Sequence, residues 1–359
     1  MTYDDVLNAA KVPVRLSFEP TIHCNLRCPM CDRTQKEDYL SHQEEQLPYK
    51  TVRALMHEVG TLGVGYFLFI GGGEPLTDPH IIEYMHILKS YGVYVHLWTN
   101  GTLIDEQLAP VLAGLCNMIT VSLDSPDPAV NDLSRGVPGA TDKAIRGIRL
   151  LRQSSDRVFL RIHSVISALN SDRLTEITDL AAKLGVNEIG GALIAPYDFV
   201  PESMLFSKEQ IGVLCNRIEE LCEYAKAKGV ALAGCYANVS AKIIQNLQHI
   251  HRMYTDSKAS VPAQHITCMG LWGQAQIRPN GDVSVCCFTY RPILGNLHRN
   301  TFEQIWNSPR ANELRELVRR GEYIDAPCIG CDTGHPVFTR ELELTGRLDS
   351  FYEMSINAR

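Results

Sequence analysis

Two rhythms of apolar and polar positions run along the first two thirds of the chain. Short apolar runs recur at 14–18, 65–70, 94–99, 118–123, 158–165 and 188–194, each of strand length. Between them apolar residues fall three or four apart, with polar residues in the gaps. That spacing predicts helices over 49–62, 80–90, 105–115, 140–153, 172–184 and 207–228. Strands that alternate with helices imply parallel βα units, because parallel strands need a long crossover between them. The expected fold class is α/β, with six such units. In barrels built this way, chemistry-bearing side chains collect at the C-terminal strand ends.

Past a further strand-like run, 230–233, the rhythm changes. A helix and polar linker are expected over 238–262, closing on Lys258-Ala259-Ser260-Val261-Pro262. Residues 276–285 then alternate around Asn280-Gly281, a strong hairpin signal. One amphipathic helix is expected to run through Trp306 and Leu317. The predicted division is therefore 1–237, a 238–262 connection, and a small α+β module over 263–359.

Composition narrows the function classes. Apolar content of 45% and charged content of 21% suit an ordinary globular protein with an adequate core. A net charge of −7 without a basic run gives nucleic-acid binding no electrostatic support. The longest apolar stretch, 66–70, is far short of a membrane span. The start, Met1-Thr2-Tyr3-Asp4-Asp5, lacks the apolar core of a secretory signal. A cytoplasmic protein without membrane or nucleic-acid partners is expected. Twelve cysteines in that compartment point to metal or catalysis rather than disulfides.

Cys24, Cys28 and Cys31 follow the first strand with C-x3-C-x2-C spacing. Thiolates are the usual ligands of iron–sulfur clusters. Three of them fill three corners of a 4Fe-4S cluster and leave the fourth iron open for chemistry. Zinc is the rival, but a structural zinc site takes four ligands, and His23 lies too near Cys24 to close the ring.

Further candidates sit at strand ends. Gly71-Gly72-Gly73-Glu74-Pro75 follows the second strand, where glycine lets a ligand approach the backbone and Glu74 offers a carboxylate. A tight turn alone would also explain it. Trp98-Thr99-Asn100-Gly101 ends the third strand; Asn100 reads equally as a cofactor contact or a turn residue. Ser122 and Asp124 end the fourth, as ligand contacts or as the cap of a following helix. Arg161 and His163 alternate on the fifth and so share a face. A buried arginine there needs an anion, either a ligand carboxylate or an internal ion pair. Tyr197 and Asp198 follow the sixth strand. Cys215 and Cys222, seven apart, read as core packing. Cys235 reads either as a hydrogen-atom donor or as a small buried hydrophobe.

The cysteine loop resembles the cluster motif of the radical S-adenosylmethionine (radical SAM) enzymes, with Met30 where an aromatic residue is common. The resemblance implies a partial (β/α)6 TIM-type barrel and S-adenosylmethionine chelated at the open iron. It implies that Gly72, Gly73 and Glu74 contact the SAM amino group, that Ser122 and Asp124 contact its ribose or methionine region, and that Asn100 and Arg161 lie near it. Asn170 and the glycine-containing run 188–194 resemble family features as well.

In the C-terminal module Cys268, Gly281 and Cys286 are spaced C-x12-G-x4-C, followed by Gly295-Asn296-Leu297 and Cys328-x2-Cys331. This resembles the auxiliary-cluster modules called SPASM and twitch domains. No cysteine follows Cys331, so the shorter twitch-like kind is implied. Cys268, Cys286, Cys328 and Cys331 would then hold a second 4Fe-4S cluster, with Cys287 able to replace Cys286 and zinc as rival occupant.

The pairing is similar to the scyllo-inosamine dehydrogenase type of antibiotic biosynthesis. It implies a sugar or aminocyclitol substrate, oxidation of a secondary alcohol with the auxiliary cluster taking the electron, and a flavodoxin- or ferredoxin-type donor. Arg161, His163, Tyr197 and Asp198 are the candidate bases or anchors. The alternatives are epimerisation with Cys235 returning hydrogen, peptide maturation, and a non-catalytic iron–sulfur sensor or scaffold. Peptide maturation ranks behind oxidation because the barrel begins almost at once, without a peptide-recognition domain ahead of it.

Overall fold

A computed structural model describes residues 12–31, 33, 46–234, 270–285 and 292–320. These fall into two compact units that interleave along the sequence. The first takes residues up to Ile22, from 46 to His96, and from 270 onward; the second takes His23 to 33 and Leu97 to 234.

In the first unit, β1 (Arg15–Phe18) pairs in parallel with β2 (Tyr66–Phe69), Arg15 opposite Tyr66 and Phe18 opposite Phe69. The crossover is α1 (Tyr49–Leu62), which buries Val52, Leu55, Met56 and Val59, the i, i+3, i+4, i+7 stripe. Gly63, at φ 77°, ends it in the left-handed conformation. After α2 (Ile81–Ser90), β3 (Tyr94–Thr99) runs from the first unit into the second. Leu16, Phe18, Phe67 and Phe69 are almost wholly buried. Each such side chain contributes about 1.5–3 kcal/mol of burial.

The predicted hairpin forms, as β8 (Gln274–Ile277) and β9 (Asp282–Ser284) around Gly281 at φ 84°. β10 (Ile293–Asn296) adds antiparallel to β9. The sequence did not disclose that β8 also pairs in parallel with β1, Arg15 opposite Gln274. Polar side chains hold that seam: Arg15 Nη2 donates to Gln274 Oε1 at 2.6 Å, and Gln276 Nε2 to the buried Glu19 at 2.8 Å. The single helix expected through Trp306 and Leu317 is instead two, Phe302–Trp306 and Pro309–Arg319. Pro309 cannot continue a helix from upstream, and Ser308 caps the new one by accepting from Ala311 N at 3.1 Å.

In the second unit, β4 (Met118–Ser122), β5 (Phe159–Ile166), β6 (Glu188–Leu193) and β7 (Ala231–Gly234) pair in parallel in that order. The helices between them are α5 (Ala140–Ser154), α6 (Leu174–Leu184) and α7 (Lys208–Ala227). α3 (Leu108–Leu115) leads from β3 to β4, and an additional helix, α4 (Pro128–Arg135), precedes α5. Along β5 burial alternates: Leu160, Ile162, Ser164 and Ile166 are buried, and Phe159, Arg161, His163 and Val165 are half-buried. The α/β class with a parallel-strand sheet is thus present. No helix among the described residues is long and apolar enough to cross a membrane. The connection predicted at 238–262 lies outside the described residues.

Candidate functional site

The cysteine loop is fastened from within the second unit. Asn100 Oδ1 accepts from Thr102 N at 2.9 Å, closing the turn after β3, while its Nδ2 donates to Asn25 Oδ1 at 2.8 Å. Asn25 Nδ2 in turn donates to Thr102 Oγ1 at 2.7 Å. Asn100 is therefore both turn former and clamp. Further along, Arg27 N donates to Arg135 O at 3.2 Å, at the C-terminus of α4. Gly136 follows at φ 70°, and a Cβ there would lie 2.0 Å from Arg27 O. Only glycine lets helix end and loop approach this closely.

Within the loop, Cys31 N donates to Cys28 O at 3.0 Å and Leu26 N donates to Cys24 Sγ at 3.4 Å. All three cysteines are half-buried, and none of them forms a disulfide. An N–H donor aimed at sulfur favours a thiolate. Three thiolates on one loop suit an iron–sulfur cluster, in which each binds a different iron.

Asp124, at the end of β4, anchors a buried network. Its carboxylate accepts from Ser134 Oγ, from Arg135 Nη2 at 2.6 Å and from Val165 N at 2.8 Å. Its backbone oxygen accepts from Asn170 Nδ2 at 2.9 Å. Neither Ser122 nor Asp124 caps the following helix; Asp127 does, accepting from Ala129 N at 2.9 Å. The Arg135 cation also lies close enough to Cys28 for the two to act on each other's charge. Burial works against its charge, but Asp124 and Cys28 outweigh it, so its pKa stands above the usual arginine value. Burial raises the Cys28 thiol pKa, and the Arg135 cation pulls it part of the way back. Arg135 Nε is buried and has no hydrogen-bond partner among the described residues, which leaves a donor for cluster sulfur. The loop and its surroundings therefore fit an iron–sulfur cluster.

Strand register brings Ser122, His163 and Gly190 side by side, with Arg161 opposite Glu188. Trp98 Nε1 donates to Ser122 Oγ at 3.2 Å, and the Trp98 ring meets His163 edge-on with centroids 4.6 Å apart. Arg161 Nε is ion-paired with Glu188, the internal partner that one of the two expectations required. A Cβ on Gly190 would come within 3.1 Å of His163 Nδ1, so a larger residue there would crowd the ring. Burial first, then the Arg161 and Arg135 cations, push the His163 pKa down to about 3. His163 is uncharged near neutrality and a poor proton acceptor. Tyr197 stacks on Phe199, centroids 5.2 Å apart, and both pack with Met30 on Ile194, Val200 and Met204. Met30 thus meets protein apolar surface in place of an aromatic residue. Asp198 is exposed.

In the first unit, Gly73 N donates to Thr21 O at 2.8 Å, and Gly71 has no room for a Cβ, which would lie 1.8 Å from Gly73 O. Gly72 is half-buried in this turn. Glu74 is buried and caps the turn Pro75–Thr77, accepting from Leu76 N at 3.1 Å. Cys235, Cys268, Cys286, Cys287, Cys328 and Cys331 lie outside the described residues.

Sequence reasoning missed Arg135, Gly136 and Glu188. The Arg-Gly pair at a helix end was the signal for the first two; nothing short of strand register marks Glu188.

The radical SAM superfamily profile matches residues 18–181, and the profile of SPASM, an iron–sulfur cluster-binding domain, matches 268–332. An AdoMet-dependent heme synthase of Methanosarcina barkeri is 27% identical over 89% of this chain and 88% of its own. The PqqA peptide cyclase of Gluconobacter oxydans is 27% identical over 89% of this chain and 83% of its own. The mycofactocin maturase MftC of Mycobacterium ulcerans is 26% identical over 86% of this chain and 79% of its own. Streptococcus suis SuiB bound to S-adenosylmethionine shares the fold, with TM-score 0.64 and 17% identity over 86% of this chain and 68% of that one. So does anSMEcpe with bound AdoMet, with TM-score 0.62 and 17% identity over 96% of this chain and 98% of that one.

Proposed function

From a chain that carries a radical SAM domain, which binds S-adenosylmethionine and a 4Fe-4S cluster, followed by an iron–sulfur-binding SPASM domain, we infer an enzyme that abstracts a hydrogen atom from a peptide and so modifies it. Once bound, the reduced cluster and S-adenosylmethionine would together supply the radical chemistry for hydrogen-atom abstraction, the cluster giving one electron and methionine leaving. Cys24, Cys28 and Cys31 hold that cluster, and Cys268, Cys286, Cys328 and Cys331 hold the auxiliary one. Gly72, Gly73, Glu74, Ser122 and Asn100 are the proposed surroundings of the cofactor. Asp124 acts through Arg135 on the loop, and Arg161 acts through its pair with Glu188.

One observation carries the substrate class. Two arginines of the second unit, buried Arg135 and half-buried Arg161, each close on a carboxylate, Asp124 and Glu188 respectively. The same unit offers Trp98, Ser122, an uncharged His163 and the apolar group around Met30 and Tyr197. A neutral peptide segment fits such groups. Among the described residues, neither of these two pairs spares its cation for the carboxylates of a porphyrin. Relatives named for peptide cyclisation and mycofactocin maturation, alike over 86–89% of this chain, support the same reading. Oxidation of a sugar or aminocyclitol alcohol, implied by the resemblance to the scyllo-inosamine dehydrogenase type, takes second place, since no relative named above carries such an activity.

The test uses anaerobically reconstituted full-length protein with S-adenosylmethionine and dithionite. Formation of 5′-deoxyadenosine is followed with a synthetic peptide library, a set of aminocyclitols and a set of iron porphyrins. Stimulation above background by peptides, with a matching mass change in the peptide, is expected. Stimulation by cyclitols or porphyrins alone would overturn the reading.

A further inference from the structure

Arg135 faces two partners with opposite consequences for its charge. Nη2 donates to Asp124 Oδ1 at 2.6 Å, and the same cation lies close enough to Cys28 to act on it electrostatically. Neither neighbour can drift. Asp124 is held by Ser134 Oγ and, at 2.8 Å, by Val165 N. The residue before Cys28 donates its N–H to Arg135 O at 3.2 Å, and Gly136 lies against the carbonyl of that residue. The cation is thus fixed beside one cysteine of the loop, in a setting nearly closed to water, where a charge acts strongly on its neighbours. Hydrogen bonds to ligand sulfur, nearby charge and burial set iron–sulfur reduction potentials.

We propose that Arg135, anchored by Asp124, is a positioning residue that holds the Cys28 ligand and raises the reduction potential of the cluster on Cys24, Cys28 and Cys31. The inference rests on the cluster reading of that loop. Reduction adds one electron, delivered by a flavodoxin- or ferredoxin-type donor, and no bond is made or broken in that step. A fixed cation at the ligand favours the reduced form, and the Asp124 carboxylate offsets part of that effect. Removing one charge or the other therefore shifts the potential in opposite directions. Loss of structure alone would not produce opposite signs.

The experiment is a redox titration of anaerobically reconstituted full-length protein, followed by electron paramagnetic resonance. The signal that changes on adding S-adenosylmethionine identifies this cluster and separates it from the auxiliary one. In Arg135→Gln, the reduced-to-oxidised ratio at the wild-type midpoint falls about tenfold, a shift of about 59 mV for one electron. In Asp124→Asn the midpoint rises. Arg135→Lys, which keeps the charge, stays nearer to wild type than Arg135→Gln does. Should Arg135→Gln fail to hold iron, the rise in Asp124→Asn decides. Unchanged midpoints in loaded variants, or shifts of one sign in both, would overturn the proposal and leave the cluster reading intact. Wild-type protein that takes up no iron would overturn the cluster reading, and this inference with it.

Discussion

Replacing Gly136 by alanine tests the seat of the cysteine loop, with Gly139→Ala as its control. Both glycines are left-handed, Gly136 at φ 70° and Gly139 at φ 80°. Either substitution therefore costs about 1–2 kcal/mol in backbone conformation. The surroundings differ. A Cβ on Gly139 would have nothing within 4 Å, whereas one on Gly136 would lie 2.0 Å from Arg27 O, an atom of the main chain. Ordinary contact begins near 3.4 Å, so helix end and loop have to part by more than an ångström. Overpacking of that kind costs about 1–3 kcal/mol, and the lost Arg27 N–H bond to Arg135 O about 1 kcal/mol more. Gly136→Ala should thus cost roughly 3 kcal/mol or more in all. At about 2–4 °C per kcal/mol, the melting temperature falls by roughly 10 °C, and by only a few degrees in Gly139→Ala. Circular dichroism melts and iron per chain after reconstitution read the two effects. Iron should drop in Gly136→Ala and hold in Gly139→Ala. Equal melts and equal iron in the two variants would refute the argument.

Two further outcomes follow from the buried charges. His163 has its pKa depressed to about 3, while in the unfolded chain it titrates near 6.5. Between those values the unfolded state binds a proton that the folded state does not, so stability is intact above about pH 6.5 and falls as pH drops through the window. The slope is about 1.4 kcal/mol per pH unit, and His163→Gln should abolish it; urea melts of iron-free protein at about pH 6 and about pH 5 would show otherwise if both proteins lost stability equally. Glu188→Gln leaves Arg161, 15% exposed, without its anion, at a cost of about 3–5 kcal/mol. Arg161→Met/Glu188→Leu should recover most of that loss in the same melts; a double variant as unstable as the single one would contradict the pair's assignment as a buried charge pair.

The strand and helix rhythm was legible because each element buries one face and exposes the other. Helix 49–62 and strand 94–99 are found at their expected limits, as Tyr49–Leu62 and Tyr94–Thr99. Local turn chemistry was equally legible at Asn280-Gly281. Pairings between distant residues were not. No local pattern places Gln274 beside Arg15, or Glu188 beside Arg161, because register is set by the assembled sheet. The break at Pro309 was in plain view, but the apolar spacing on either side of it read as one helix. Among the proposed site residues, Cys24, Cys28 and Cys31 stand out by their spacing. Asp124 was legible as a polar strand end but not as the anchor of Arg135, since α4 is short and carries its own cap, Asp127.

The seat of the cysteine loop also imposes a chronology. Cys28 is made early, whereas Arg135 and Gly136, which receive the loop, come about a hundred residues later; at 5–20 residues per second that is roughly 5–20 s of synthesis. Val165 and Asn170, which hold Asp124 beneath Arg135, are later still. Through that interval only Asn100 and Thr102, which clamp Asn25, are available to seat the loop. The complete seat of the loop, Arg135 held by Asp124 and Asp124 held by Val165 and Asn170, therefore exists only after β5 is made.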